Sequence, residues 1–254
     1  MDPAEYDKLD AAEGRMWWFA ALHANLTAML DRAKPRPGRV LDAGCGTGGL
    51  LVKLARRDDG GDAIGVDQEP VACIRAHAKS GRPVCAGSIN ALPFGDKAFA
   101  AILSADVLCH RAVDERAALQ QFHRCLGAGG LLVLNLPAYR WMLSRHDIAV
   151  HNARRYTRKS VAALLRAAEF RPIYTGYWNT VLFPLMLVTR KLFPARLGEE
   201  SDVKLYPAPV EALCRAATAL ERRLMRCGVR LPFGGSVVAV AVKVEADEMK
   251  AGDA

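Results

Sequence analysis

Apolar positions along the chain change period, and each change marks an element. Residues 7–33 are mostly helix-forming, with Trp17, Trp18, Leu22, Leu26, Met29 and Leu30 recurring at helical spacing, and Lys34-Pro35-Arg36-Pro37-Gly38 closes the run. Short apolar runs then alternate with helical patterns. Strands are expected at 39–42, 62–66, 83–86 and 98–104, and helices at 50–57, 70–79 and 114–126. A turn at 127–130 leads into the apolar run 131–136, which suits a buried central strand. A helix at 158–170, a strand at 172–177 and a last strand at 235–244 complete the pattern. Strands separated by helices of about 10–15 residues build a parallel sheet with right-handed crossovers. The fold class is therefore α/β.

Between the last two strands the pattern is different. Residues 181–188 are apolar, interrupted by Pro184 and closed by Arg190-Lys191. A bilayer crossing takes about 20 apolar residues, so this run does not span one; it is either a buried helix or a membrane-facing one. Residues 210–225 place apolar side chains at 210, 213, 217, 220 and 224, with Arg215, Arg222, Arg223 and Arg226 elsewhere around the helix. That is a basic amphipathic helix, and a plain helix packed on the domain has the same pattern.

Composition narrows the class. With 51% hydrophobic and 24% charged residues, a disordered, fibrous or membrane-spanning chain is excluded. Seven scattered cysteines form no CxxC pair and no Cys/His ligand spacing, which reads as reduced thiols in a cytoplasmic protein without a metal site. The acidic, polar opening at 1–10 is not that of a signal peptide. Charge is informative once divided. Residues 1–137 carry 16 basic and 16 acidic side chains, whereas residues 138–233 carry 17 and 7, a net of +10. Such a block suits an anionic substrate, an anionic membrane surface or a solvated face without a partner. Nucleic acid is not expected, because no basic patch is interleaved with aromatics.

The chemistry-bearing signal follows the first strand: Asp42-Ala43-Gly44-Cys45-Gly46-Thr47-Gly48-Gly49. Glycines at 44, 46 and 48 let the backbone turn sharply and approach a ligand closely. The spacing is GxGxG, whereas a dinucleotide fingerprint reads GxGxxG. Asp67 ends the second strand about 20 residues later, where a carboxylate accepts both hydroxyls of a ribose. A lone Asp there would otherwise be a helix cap.

Together with Gly87-Ser88-Ile89-Asn90-Ala91-Leu92-Pro93-Phe94, Ser104-Ala105-Asp106-Val107-Leu108-Cys109-His110 and Arg124-Cys125-Leu126-Gly127-Ala128-Gly129-Gly130, these residues resemble the class I S-adenosylmethionine-dependent methyltransferases. The resemblance is to the broad small-molecule group that includes quinone-biosynthesis enzymes, over about residues 10–178 and the final strand. It implies a Rossmann-like sheet, mostly parallel with a final antiparallel strand, and a single domain. Within that domain residues 1–37 would form a helical lid, 38–178 the cofactor-binding core, 179–233 a helical insertion or cover, 234–245 the last strand and 246–254 a tail. S-adenosylmethionine is the implied cofactor. Asp42, Gly44, Cys45, Gly46 and Thr47 would line its methionyl and ribose portion, and Asp67 the ribose hydroxyls. Gln68 and Ile89 would flank the adenine, and Asp106 and Val107 would lie near the sulfonium. The family usually has an acidic residue where Ser88 stands, so Ser88 or Asn90 would make the adenine contact. Trp18, within Met16-Trp17-Trp18-Phe19, resembles part of a lid helix; a hydrophobic cap on the sheet is the competing reading.

Methyl transfer from a sulfonium requires in-line positioning, and a base only where the acceptor must lose a proton. Past the fifth strand, His146-Asp147, His151 and Arg154-Arg155-Tyr156-Thr157 form a candidate acceptor site, similar to a block in one methyltransferase subgroup. His146, oriented by Asp147, would be the base. Arg154, Arg155 and Tyr156 would hold an anionic group, with His151 and His110 beside it. The expected function is methyl transfer to the oxygen or nitrogen of a small, anionic, apolar or lipid-linked acceptor. The expected protein is a cytoplasmic monomer or homodimer, with peripheral contact at an inner-membrane surface left open. A non-catalytic subunit that binds S-adenosylmethionine or its product is the alternative.

Overall fold

The structure is a computed structural model that describes residues 3–57, 62–143, 147, 150–192 and 205–244. Strands β1 (Val40–Ala43), β2 (Ala63–Asp67), β3 (Val84–Ala86), β4 (Phe99–Ala105), β5 (Leu126–Pro137), β6 (Phe170–Trp178) and β7 (Ser236–Lys243) form one sheet in the order β3-β2-β1-β4-β5-β7-β6. The first five strands pair in parallel, and β7 lies antiparallel between β5 and β6. Helices α1 (Pro3–Glu13), α2 (Trp17–Ala33), α3 (Gly49–Ala55), α4 (Pro70–Ser80), α5 (Glu115–Cys125), α6 (Arg158–Ala167), α7 (Phe183–Leu192) and α8 (Ala208–Arg226) flank or cover it.

Alternation along the strands fills a core on each face. Leu41, Ile102, Leu132 and Leu134 face α5 and α6, where Leu119, Phe122, Val161 and Leu165 are buried against them. Val40, Ala101, Leu103 and Val133 face the opposite layer, with Leu26 and Leu30 of α2 and Leu51 of α3. Burying large aliphatic side chains at about 1.5–3 kcal/mol each drives this assembly. Because β6 runs parallel to β5, one edge of the sheet collects the ends of β1 to β6 and the start of β7. Ligands bind outside that edge in open α/β sheets.

Three expectations change. The helical segment 7–33 is broken at Gly14-Arg15-Met16, where Arg15 and Met16 donate to the Ala12 carbonyl, so α1 folds back from α2. The strand expected at 131–136 begins earlier, at Leu126, which pairs with Phe99; the glycines at 127–130 then loop out as a bulge before Leu131 pairs with Ala101, with Gly129 at φ +63. Last, α8 packs on the domain through Cys214, Thr218, Glu221 and Met225, and leaves Leu213 and Leu220 of its apolar stripe exposed.

Candidate functional site

The loop between β1 and α3 takes left-handed backbone at Gly44, Gly46 and Gly48, with φ +82, +51 and +92. At Gly44 the requirement is also steric, since a Cβ there would lie 2.3 Å from Val107 Cγ2. The tight fit brings the end of β4 against the glycine loop. Asp67 closes the loop from β2: its Oδ2 accepts the Gly46 N–H at 2.9 Å and its Oδ1 the Glu69 N–H at 3.0 Å. Burial raises the Asp67 pKa, and those two backbone donors oppose the rise. Asp42 is buried at the end of β1, with one carboxyl oxygen that has no hydrogen-bond partner. Burial, then the neighbouring Glu13 and Asp67 carboxylates, push its pKa well up. A glycine cradle with a half-satisfied acidic pair fits a cofactor that brings hydroxyl donors and positive charge.

Helix α1 lies on this loop. Tyr6 is buried beside Asp67, and Leu9 Cδ2 lies 3.5 Å from where a Gly46 Cβ would be. Glu13 accepts from Thr47 Oγ1 at 2.7 Å and from Lys79 Nζ at 2.9 Å. The Thr47 hydroxyl is therefore committed to α1 and does not line the cleft. Cys45 is buried, and desolvation raises its thiol pKa, so it is a packing residue in the loop. The N-terminal contact to the loop comes from α1 rather than from the aromatic run. Trp18 instead stacks on Trp178 of β6, with ring centroids 4.7 Å apart.

On the far side of the loop, Gln68 is exposed just past β2, and Ile89 is buried in the core. Ser88 Oγ accepts the Asn90 N–H. The expectation of an adenine contact from Asn90 is corrected: its amide donates to the Ala112 carbonyl and accepts from the Asp114 N–H, so both ends hold the 112–114 loop. Ser88 is left as the polar side chain in that corner.

The end of β4 holds the group with the strongest chemical character. Asp106 takes φ +55, and Asn135 Nδ2 of β5 lies 3.0 Å from both of its carboxylate oxygens. Asn135 is fixed in turn by Trp178 Nε1, which donates to its Oδ1 at 2.6 Å. Burial lifts the Asp106 pKa to about 7, against the opposing effects of Asn135 and the Arg155 charge. His110 hydrogen-bonds the Asp106 backbone and is pushed down to about 4, chiefly by burial, so it is neutral at physiological pH. Asn135 and Trp178 were not expected from the sequence as site residues. A lone amide inside the otherwise apolar Leu131–Leu136 stretch is the signal that could have found the first of them.

The acceptor cluster is largely corrected. Arg154 spends its guanidinium on the carbonyls of Leu108, His110 and Val113, with Glu115 Oε2 3.3 Å from its Nε. Arg155 is only 5% exposed; Nε and Nη2 grip Asp147 at 3.0 and 2.9 Å, and Nη1 donates to Ala138 O. The Tyr156 hydroxyl is buried, 2.7 Å from Glu115 Oε1. None of these three presents a free group to an anion. They bracket the loop after β4 to the turn after β5 and so hold Asp106 and His110 in place. Asp147 answers to Arg155, and His146 lies outside the described residues. His151 is exposed at φ +59, its carbonyl bonded to the Arg111 N–H.

Beyond β5 the edge turns aromatic. Tyr139 stacks on Tyr177 and Trp141 at 5.1 and 5.5 Å, and Phe183 of α7 joins Tyr139 to Phe233. Trp141 is 60% exposed, so this wall is open to a ligand with an apolar body.

Residues 41–134 match a family model described as a methyltransferase domain. A demethylmenaquinone methyltransferase of Roseiflexus castenholzii is 38% identical over 102 residues, which are 39% of this chain and 42% of that protein, so the match spans less than half of the relative. Among solved structures, geranyl diphosphate C-methyltransferase from Streptomyces coelicolor superposes with a TM-score of 0.59 at 15% identity, over 87% of this chain and 76% of that one. An S-adenosylmethionine-dependent methyltransferase from Thermotoga maritima gives 0.54 at 22% identity, over 95% of each chain. The sheet order and the antiparallel β7 are those of the class I methyltransferase fold expected from the sequence.

Proposed function

We propose that the chain transfers a methyl group from S-adenosylmethionine to a small acceptor with an apolar body, a reading supported by the match of residues 41–134 to a methyltransferase-domain model. The observation that carries this reading is the juxtaposition at one sheet edge: glycine loop and Asp67 on one side, Asp106 and the aromatic wall on the other. Gly44 and Gly46 would permit close approach of the methionyl portion, Asp67 would accept the ribose hydroxyls, and Ser88 would face the adenine. The cofactor, when bound, supplies an electrophilic methyl carbon on sulfonium. Asp106, at the end of β4, would in its ionised form accept the acceptor's proton at a carboxylate oxygen that Asn135 holds in place. His110 orients the acceptor as a neutral hydrogen-bonding group. The aromatic wall binds the acceptor's body and takes over the anchoring expected of the arginines.

The direct test is incubation with methyl-labelled S-adenosylmethionine and a fractionated extract of metabolites and lipids. Label is expected in an apolar fraction, and cofactor binding without transfer to any fraction would leave a binding subunit instead. Asp67→Ala is expected to weaken S-adenosylmethionine binding by about 1–3 kcal/mol, the cost of unmet buried polar partners. Calorimetry reads this directly, and an unchanged affinity removes the ribose assignment.

A further inference from the structure

We infer that α8, with the exposed side chains around the start of α7, docks this protein on an anionic lipid bilayer. A helix lying on a domain normally turns its apolar face inward. Here Val210, Leu213, Leu220 and Leu224 are 41%, 68%, 55% and 39% exposed, and with the half-buried Ala217 they form a stripe of alternating three- and four-residue steps. The buried face carries Cys214, Thr218, Glu221 and Met225.

Specific bonds hold this orientation. Glu221 accepts the Asn179 and Val181 N–H groups at 2.6 and 2.7 Å, Glu211 accepts the Trp17 N–H at 2.6 Å, and Arg215 donates to the Arg15 carbonyl. The stripe is thus presented outward by the fold. Val181, just before α7, and Leu185 and Val188 within it are 56%, 61% and 48% exposed, and Glu221 ties the segment leading into α7 to α8 through the Asn179 and Val181 N–H groups.

Charge selects the occupant. The helix ends in Arg222, Arg223 and Arg226; its two acidic residues are engaged by backbone N–H groups, and Arg215 is held by Glu211, 3.8 Å away, and by the Arg15 carbonyl. Arg222 has its pKa lowered by burial and by the crowding charges of Arg226 and Arg223. Pairing two such helices from identical chains would oppose like charges. An anionic surface meets them favourably, with apolar side chains entering the acyl boundary and arginines reaching the headgroups. Among the described residues no helix is long and apolar enough to cross a membrane, so the contact is peripheral. Phe183 belongs both to α7 and to the aromatic wall, which sets the docking surface beside the acceptor mouth and suits an acceptor carried in the bilayer. Docking itself does not depend on the methyl-transfer reading.

Vesicle flotation tests it, with phosphatidylcholine vesicles prepared with and without phosphatidylglycerol and no methyl acceptor present. The chain is expected to float with anionic vesicles only and to be released by added salt. Leu213→Ser with Leu220→Ser should reduce partitioning about tenfold or more. Its circular dichroism and S-adenosylmethionine affinity should stay those of the parent. Arg222→Gln with Arg223→Gln should weaken binding to anionic vesicles. Ile74→Ser, an exposed apolar position on α4, should leave binding intact. No binding to anionic vesicles, or binding indifferent to the stripe substitutions, overturns the inference. A dimer that the same substitutions dissociate, without vesicle binding, assigns the stripe to a second copy and overturns it equally.

Discussion

Asp106→Asn is expected to lower turnover about 100- to 10,000-fold with an acceptor that must lose a proton, the range typical of a positioned general base. The substitution keeps the side chain's shape and leaves a carbonyl oxygen for Asn135 Nδ2, so the loop geometry should survive. What it removes is the ionisable group whose pKa burial has lifted to about 7. In the parent protein kcat/KM should therefore rise with pH through about 7 as the carboxylate forms, and in the variant this limb should vanish. Stability supplies a second readout, of the raised pKa itself whatever the role of the residue. A carboxyl with a raised folded pKa contributes stability below its unfolded pKa, and that contribution is lost as pH rises through about 7. The stability difference between parent and Asp106→Asn should change in the parent's disfavour across that interval. Unchanged turnover and an unchanged pH profile would leave Asp106 as a loop residue, and the proton would have to leave directly to solvent.

The sheet was legible because its strands differ in period from the helices between them, and because the glycine spacing after Asp42 allows few backbone paths. Asp67 could be placed by its distance in sequence from that loop, and the hydrogen bond from Gly46 confirms their proximity. Pairwise side-chain commitments were not legible. Arg154-Arg155-Tyr156 looks the same in sequence whether its donors face a ligand or the chain's own carbonyls, and only the fold shows Leu108, His110, Val113 and Ala138 waiting for them. Asn135 was hidden for the opposite reason: one amide among leucines does not disturb an apolar pattern, although burial forces it to find partners. The stripe on α8 was seen, but a hydrophobic period says which residues share a face without saying whether that face meets protein, lipid or water.

The reassignment of Arg155 carries the largest expected effect on stability. Its guanidinium and the Asp147 carboxylate are 5% and 0% exposed, joined by two hydrogen bonds of 3.0 and 2.9 Å. Removing the guanidinium of such a buried pair takes away the two short bonds that balance the Asp147 charge, which costs about 3–5 kcal/mol, far more than the intact pair contributes over an apolar substitute. Arg155→Ala should therefore lower unfolding stability by about that amount in denaturant titration. The loss should shrink as pH falls, because Asp147, deprived of the guanidinium, can then take up a proton in the folded state. Adding Asp147→Asn to Arg155→Ala should recover part of the loss, since the buried charge is gone. Turnover in the single variant should fall together with the fold, as the bracket around Asp106 and His110 loosens. An anion anchor would behave in the opposite way: stability would be retained, the acceptor's KM would rise, and the second substitution would rescue nothing. The pair of measurements thus separates a residue that holds the site together from one that holds the substrate.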